Sequence, residues 1–117
     1  MKLYLSGPMT GLPDYNKPAF YRAAAELRVA GHEVVNPAEH EGLAKGTAWA
    51  DYIRKDLVLL AQCDGIALLP GWHLSRGARL EVYIALNLAL PTLDATTGAP
   101  LALSATGPGF ALGDTPL

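Results

Sequence analysis

Four short apolar runs, set between segments of helical period, narrow the possible folds of this chain more than any other feature. Leu3-Tyr4-Leu5, Glu33-Val34-Val35, Gly65-Ile66-Ala67-Leu68-Leu69 and Pro91-Thr92-Leu93 read as buried strands. Helical stretches lie between them, giving the order β-α-β-α-β-α-β. That order demands a parallel sheet with helices on both faces and right-handed crossovers. The predicted fold is therefore α/β: a three-layer αβα sandwich around a mainly parallel, flavodoxin-like or Rossmann-like sheet of four to five strands. At 117 residues the chain has room for one such domain and not two.

Capping residues place the helices. The first is expected to open at Asn16, with Pro18 in its first turn and Gly31 as its stop, and to bury Phe20, Ala24 and Leu27. The second is expected to open near Thr47 and to bury Trp49, Ile53, Leu57 and Leu60. The third, over about residues 79–90, carries Leu80, Val82, Tyr83, Ile84, Leu86, Leu88 and Leu90 around most of its circumference. A helix that apolar is buried on more than one side, either centrally in a monomer or at a homo-oligomer interface. Residues 95–117 hold a single charge, Asp114, and no periodicity. They read as a Gly/Pro/Ala-rich tail, too apolar for ordinary disorder and expected to lie on the body or on a neighbouring subunit.

Charge and cysteine content exclude several classes. Net charge is −2 with no run of Lys or Arg, which argues against a nucleic-acid partner. Cys63 is the only cysteine, so no internal disulfide forms, and its apolar setting reads as a buried, inert thiol. The apolar run at the N-terminus is too short for a signal peptide or membrane span, so a cytoplasmic protein with no membrane partner is expected. His32, His40 and His73 are not spaced as a metal-ligand set, and no metal or cofactor is expected.

In an open parallel sheet, ligands bind beyond the carboxyl ends of the strands. Three stretches fall there. Ser6-Gly7-Pro8-Met9-Thr10-Gly11 follows the first strand, and its glycines and hydroxyls let backbone approach a phosphate or sugar. Trp72 and His73 follow the third strand; they stack on a nucleobase, close a lid or pack on the sheet edge, and sequence leaves these open. Ser75-Arg76-Gly77-Ala78-Arg79-Leu80-Glu81 then offers a hydroxyl and free N–H groups to an anion, with a carboxylate about one and a half helical turns on. Near a helix N-terminus Glu81 is expected to be ionised. Asp56 falls inside the second helix's apolar stripe, where desolvation should raise its pKa and favour a proton donor. Asp64 reads as a turn or cap residue. One ionised acid and one raised acid suit glycosidic bond chemistry.

Taken together, Tyr4-Leu5-Ser6-Gly7-Pro8-Met9-Thr10-Gly11, Asn16-Lys17-Pro18-Ala19-Phe20 and Gly31-His32-Glu33-Val34-Val35-Asn36-Pro37 resemble the nucleoside 2-deoxyribosyltransferase superfamily. The likeness extends to its 2'-deoxynucleoside 5'-monophosphate N-glycosidase branch and is nearest to an uncharacterised subgroup frequent in phages and prophages. It covers about residues 2–94. The resemblance implies that Glu81 is the catalytic glutamate, that Asp56 assists at the sugar and leaving base, and that Tyr4 lies near the nucleophile. It implies that Ser75 and Gly77 hold phosphate and that Ser6, Gly7, Pro8 and Met9 belong to the first ligand-binding loop. Arg76 and Arg79 depart from the pattern, and Arg76 is a further candidate phosphate contact. A residue after the fourth strand of a neighbouring subunit often completes the family's site, a part Ser104 or Thr106 could take.

The expected function is N-glycosidic bond cleavage or transfer on a nucleoside or nucleoside 5'-monophosphate through a glutamate nucleophile. The competing expectation is a module that binds a nucleotide or sugar phosphate without turning it over. Two retained acids favour the enzyme, because binding an anion gains nothing from them.

Overall fold

The computed structural model describes residues 1–40 and 48–103. Strands β1 (Lys2–Ser6), β2 (Glu33–Val35), β3 (Gly65–Leu68) and β4 (Thr92–Asp94) alternate with helices α1 (Lys17–Val29), α2 (Trp49–Ala61) and α3 (Arg76–Asn87). The strands pair in the order β2-β1-β3-β4, and every pairing is parallel. The chain runs outward from β1 to β2, then crosses to the other side of β1 to lay down β3 and β4. Right-handed crossovers put α1 on one face and α2 with α3 on the other.

The side chains divide accordingly. Leu3 and Leu5 of β1 pack with Phe20, Ala23, Ala24 and Leu27 of α1, together with Ala67, Leu69 and Leu93. On the opposite face Tyr4 packs with Leu60, Cys63, Ile66, Leu68, Val82 and Ala85. Successive residues of a strand point to opposite faces, so central β1 serves both layers and Tyr4 and Ser6 share the α3 side. The α1 stripe 20, 23, 24, 27 is the spacing that aligns side chains along one helix face. Cys63 is buried, its Sγ lies 3.4 Å from the Leu59 carbonyl, and burial pushes its pKa up.

Element ends differ from the sequence expectation for identifiable reasons. Asn16 does occupy the position before α1, but at φ 61 its side chain makes no cap; its Nδ2 donates to the Pro8 carbonyl at 2.9 Å instead. Asn16 follows Asp14 and Tyr15, which also hold positive φ. Gly31, at φ +101, ends α1 as expected, with His32 N–H donating to the Leu27 carbonyl. Helix α2 begins at Trp49 behind Ala48, while Thr47 lies outside the described residues. Helix α3 begins at Arg76, earlier than the expected residue 79, because extended Ser75 caps it: Ala78 N–H donates to Ser75 Oγ at 3.2 Å. It stops at Asn87 rather than Leu90, where Ala89 turns to φ 59.

Helix α3 is not apolar all round in use. Its buried face is Ala78, Glu81, Val82 and Ala85, while Tyr83, Ile84 and Leu86 are half-buried and Leu88 is 50% exposed. Residues 95–103 double back along β4: Leu93 and Pro100 form an antiparallel bridge, and Leu101 N–H donates to the Thr92 carbonyl. Leu101 and Leu103 then pack on the α2/α3 side. Ser104 and Thr106 lie outside the described residues. Among the described residues no helix is long and apolar enough to cross a membrane.

Candidate active site

Strands β1 and β3 lie side by side, yet the chain leaves β1 toward β2 and leaves β3 toward β4. After their first residues meet, the connections beyond these carboxyl ends go on to opposite edges of the sheet, the arrangement in which open parallel sheets form a ligand crevice. Its floor is closely built. A Cβ placed on Gly7 would lie 2.7 Å from Leu69 Cβ, so only glycine fits where the first loop crosses the end of β3. Leu69 N–H donates to the Ser6 carbonyl at 2.9 Å across the same approach. Further out, a Cβ built on Gly71 would meet Pro8 Cγ at 3.4 Å. Asn16 holds the Pro8 carbonyl from the other side. Backbone contacts between the two loops thus fix the crevice rim.

Glu81 comes from α3 to the carboxyl end of β1, where it meets Tyr4 and Ser6. It occupies the second position of the stripe 78, 81, 82, 85, where an apolar side chain is the norm. Ala78 and Ala85 flank it, and their small side chains let the helix lie close on β1 and β3. A carboxylate there is 6% exposed. Two hydroxyls from alternate residues of β1 compensate. Tyr4 Oη donates to Oε2 at 2.7 Å and Ser6 Oγ donates to Oε1 at 2.7 Å.

Burial nonetheless dominates. It pushes Glu81 up to about 7, against the bonds from Ser6 and Tyr4 and with a smaller push from the charge of Asp56. The expectation of an acid kept ionised by the helix N-terminus is thus corrected: desolvation outweighs the dipole, which fades beyond the first turn. Asp56, half-buried on α2, is raised to about 6, again chiefly by burial, with Lys55 and His40 opposing. This agrees with its place in the stripe with Ile53, Leu57 and Leu60. Tyr4 is raised well above the ordinary tyrosine value by burial and by the charges of Glu81 and Asp56, so it remains a proton donor to the carboxylate. The site thus holds two raised acids, not one ionised and one raised.

Residues 1–94 match the family described as Domain of unknown function (DUF4406). The chain belongs to this family. A crystal structure of a conserved protein from Enterococcus faecalis V583 is similar to this DUF4406 chain, with a TM-score of 0.62 and 19% identity. The match covers 80% of this chain and 62% of that one, so the present chain spans less than two thirds of its neighbour, and the likeness is one of fold. Among curated proteins none matches.

Within this DUF4406 domain the fold brings together Tyr4, Ser6 and Glu81, with Asp56 close enough for its charge to be felt by two of them. The remaining candidates divide. Ser6 is committed to Glu81, although its loop read as a ligand contact. Met9 packs against the core on the α1 side of the sheet, the face opposite Glu81. Ser75 Oγ accepts the helix cap, leaving its proton to offer a ligand. A Cβ on Gly77 would face Ile53 Cδ1 at 3.7 Å and Trp49 Nε1 at 4.0 Å, so Gly77 lies toward α2. Arg76 sits over the Trp49 ring at 3.7 Å from its centroid. Trp72 is half-buried against the α2/α3-side core and meets exposed His73 edge-on at 6.0 Å.

Sequence reasoning missed the Ser6–Glu81 bond, the Asn16 tether and the Trp49 platform. The first had a usable signal: Tyr4 and Ser6 are two apart on a strand and so share a face. The Asn16 tether spans eight residues and the Trp49 platform joins two helices, and neither has a local pattern. Among the described residues no cluster of three His, Cys, Asp or Glu is arranged to hold a metal ion.

Proposed function

We propose that this domain cleaves or transfers the N-glycosidic bond of a nucleoside or nucleoside 5'-monophosphate. One observation carries the reading: a glutamate is buried in an apolar helix stripe, held by two hydroxyls, and electrically coupled to a second acid beside a strand-end crevice. A structural role does not call for that arrangement, since an apolar residue would fill the stripe without the desolvation cost.

In the proposed reaction a Glu81 oxygen attacks the anomeric carbon as the carbon–nitrogen bond breaks, through an oxocarbenium-like transition state. Asp56, protonated, gives its proton to the departing base nitrogen. Water, or the nitrogen of a second base, then attacks the same carbon; the carbon–Glu81 bond breaks and Asp56 takes up the released proton. The productive form has Glu81 ionised and Asp56 protonated. Burial raises both acids, so the site as a pair holds one proton near neutral pH, and this form is one of its two arrangements. The Ser75 hydroxyl, the N-terminal amides of α3 at Gly77, and Arg76 supply the proposed contacts to a 5'-phosphate.

A second reading, binding without turnover, draws on one feature. Both oxygens of Glu81 already accept hydrogen bonds, so the resting carboxylate is not free. A panel of ribo- and deoxyribonucleosides and their 5'-monophosphates, assayed by chromatography for released base, separates the two. Base release by the parent and its loss in Glu81→Gln support the enzyme. Ligands that raise the melting temperature while no substrate loses its base support the binder.

A further inference from the structure

The proposed chemistry has not used the bond that Ser6 makes to Glu81 at the end of β1. Ser6 is 1% exposed, lies at the last position of β1, and spends its hydroxyl on Glu81 Oε1 at 2.7 Å. Tyr4 takes the other oxygen, Oε2, at the same distance. A single donor would leave the carboxylate free to turn about its terminal torsion, which has a broad potential. Two donors, one on each oxygen and both from one central strand paired on its two sides, remove that freedom.

The two donors also differ in place along β1. Residues two apart on a strand have Cα atoms roughly 7 Å apart along it, and Ser6 is the one at the carboxyl end of β1, where the first loop begins. A glutamate on a helix leans toward the helix N-terminus, which for α3 is the mouth end.

We propose that Ser6 is a positioning residue for Glu81, forming with Tyr4 a two-point clamp that fixes the carboxylate plane and presents Oε1 to the substrate. Its catalytic consequence rests on the reading of Glu81 as nucleophile. When Oε1 bonds to the anomeric carbon and the base departs, Ser6 keeps its proton and its hydroxyl turns aside. Tyr4 stays on Oε2, which becomes the carbonyl oxygen of the glycosyl ester. No proton leaves either hydroxyl in this step.

The test is a pH titration of the glutamate side-chain carbons by NMR, with Glu81 assigned by its loss in Glu81→Gln. Each hydroxyl bond favours the ionised form, so Ser6→Ala should raise the Glu81 midpoint by roughly one pH unit. Tyr4→Phe should move it in the same direction. Ser6→Cys, close in size and a weak donor, should give an intermediate shift and serves if the alanine variant folds poorly. On any substrate that loses its base, Ser6→Ala should lower kcat at least tenfold with KM little changed. A Glu81 midpoint unmoved in both Ser6 variants overturns the clamp, even if base is released. A midpoint that moves while no substrate loses its base upholds the clamp and removes the glycosidic reading.

Discussion

Replacing Glu81 by glutamine should make the protein more stable at neutral and alkaline pH, and the gain should vanish in acid. In the folded chain Glu81 titrates at about 7, against 4.5 for the ordinary side chain. Between these values the native state binds a proton that the unfolded state has released, so stability falls as pH rises from about 4.5 to about 7. At about 1.4 kcal/mol per unit, the full shift corresponds to about 3 kcal/mol above pH 7. Little solvent screening reduces it, because the residue is 6% exposed. Glutamine keeps the shape, accepts from one hydroxyl and donates to the other, and carries no charge to desolvate. Urea unfolding of parent and Glu81→Gln from pH 4 to pH 8.5 measures the gap. It should be near zero at the acid end and open to about 3 kcal/mol by pH 8, a melting shift on the order of 10 °C. A gap constant across pH, or a parent more stable than the variant at pH 8, would refute the burial argument. Asp56 is raised for the same reason and adds to the decline of both proteins, less so in the variant, which lacks the Glu81 charge.

Other consequences are more local. If Asp56 and Glu81 share the chemistry, kcat/KM should trace a bell with its optimum between about 6 and about 7, and Glu81→Gln should abolish activity throughout. Gly7→Ala forces a Cβ to 2.7 Å from Leu69 and should cost ~1–3 kcal/mol in denaturant unfolding. Gly77→Ala meets nothing closer than 3.7 Å and should stay within ~1 kcal/mol of the parent; equal losses at both glycines would contradict the packing described. Ser75→Ala removes the cap of α3 and should cost ~1 kcal/mol. If Ser75 also holds phosphate, calorimetry should show weaker binding of a nucleoside monophosphate with the free nucleoside unaffected.

The layer architecture was legible because strand and helix periods differ and the apolar runs were unambiguous. Asp56 was legible for a related reason, since an acid in an apolar stripe implies a partner or a cavity, while Glu81 was legible from the Ser-x-Gly turn that precedes it. What sequence misjudged was the balance at Glu81. Dipole and burial act in opposite senses on a carboxylate, and their ratio depends on how closely Ala78 and Ala85 let α3 approach the sheet. Ser75 read as a ligand hydroxyl because N-caps and anion sites use the same residue types. Arg76-Gly77-Ala78-Arg79 has no apolar period, which hid the first turn of α3. The stacking of Arg76 on Trp49 joins residues far apart in the chain, so no local pattern announces it.

The claim that a Glu81 oxygen bonds to a sugar carbon can be examined by mass. The parent, mixed with the nucleoside or nucleoside monophosphate that loses its base and quenched in acid within the first turnovers, should carry one added glycosyl group. Peptide mapping should place it on Glu81, and Glu81→Gln should show neither adduct nor released base. Base release from an unmodified protein, undiminished in Glu81→Gln, would contradict the account.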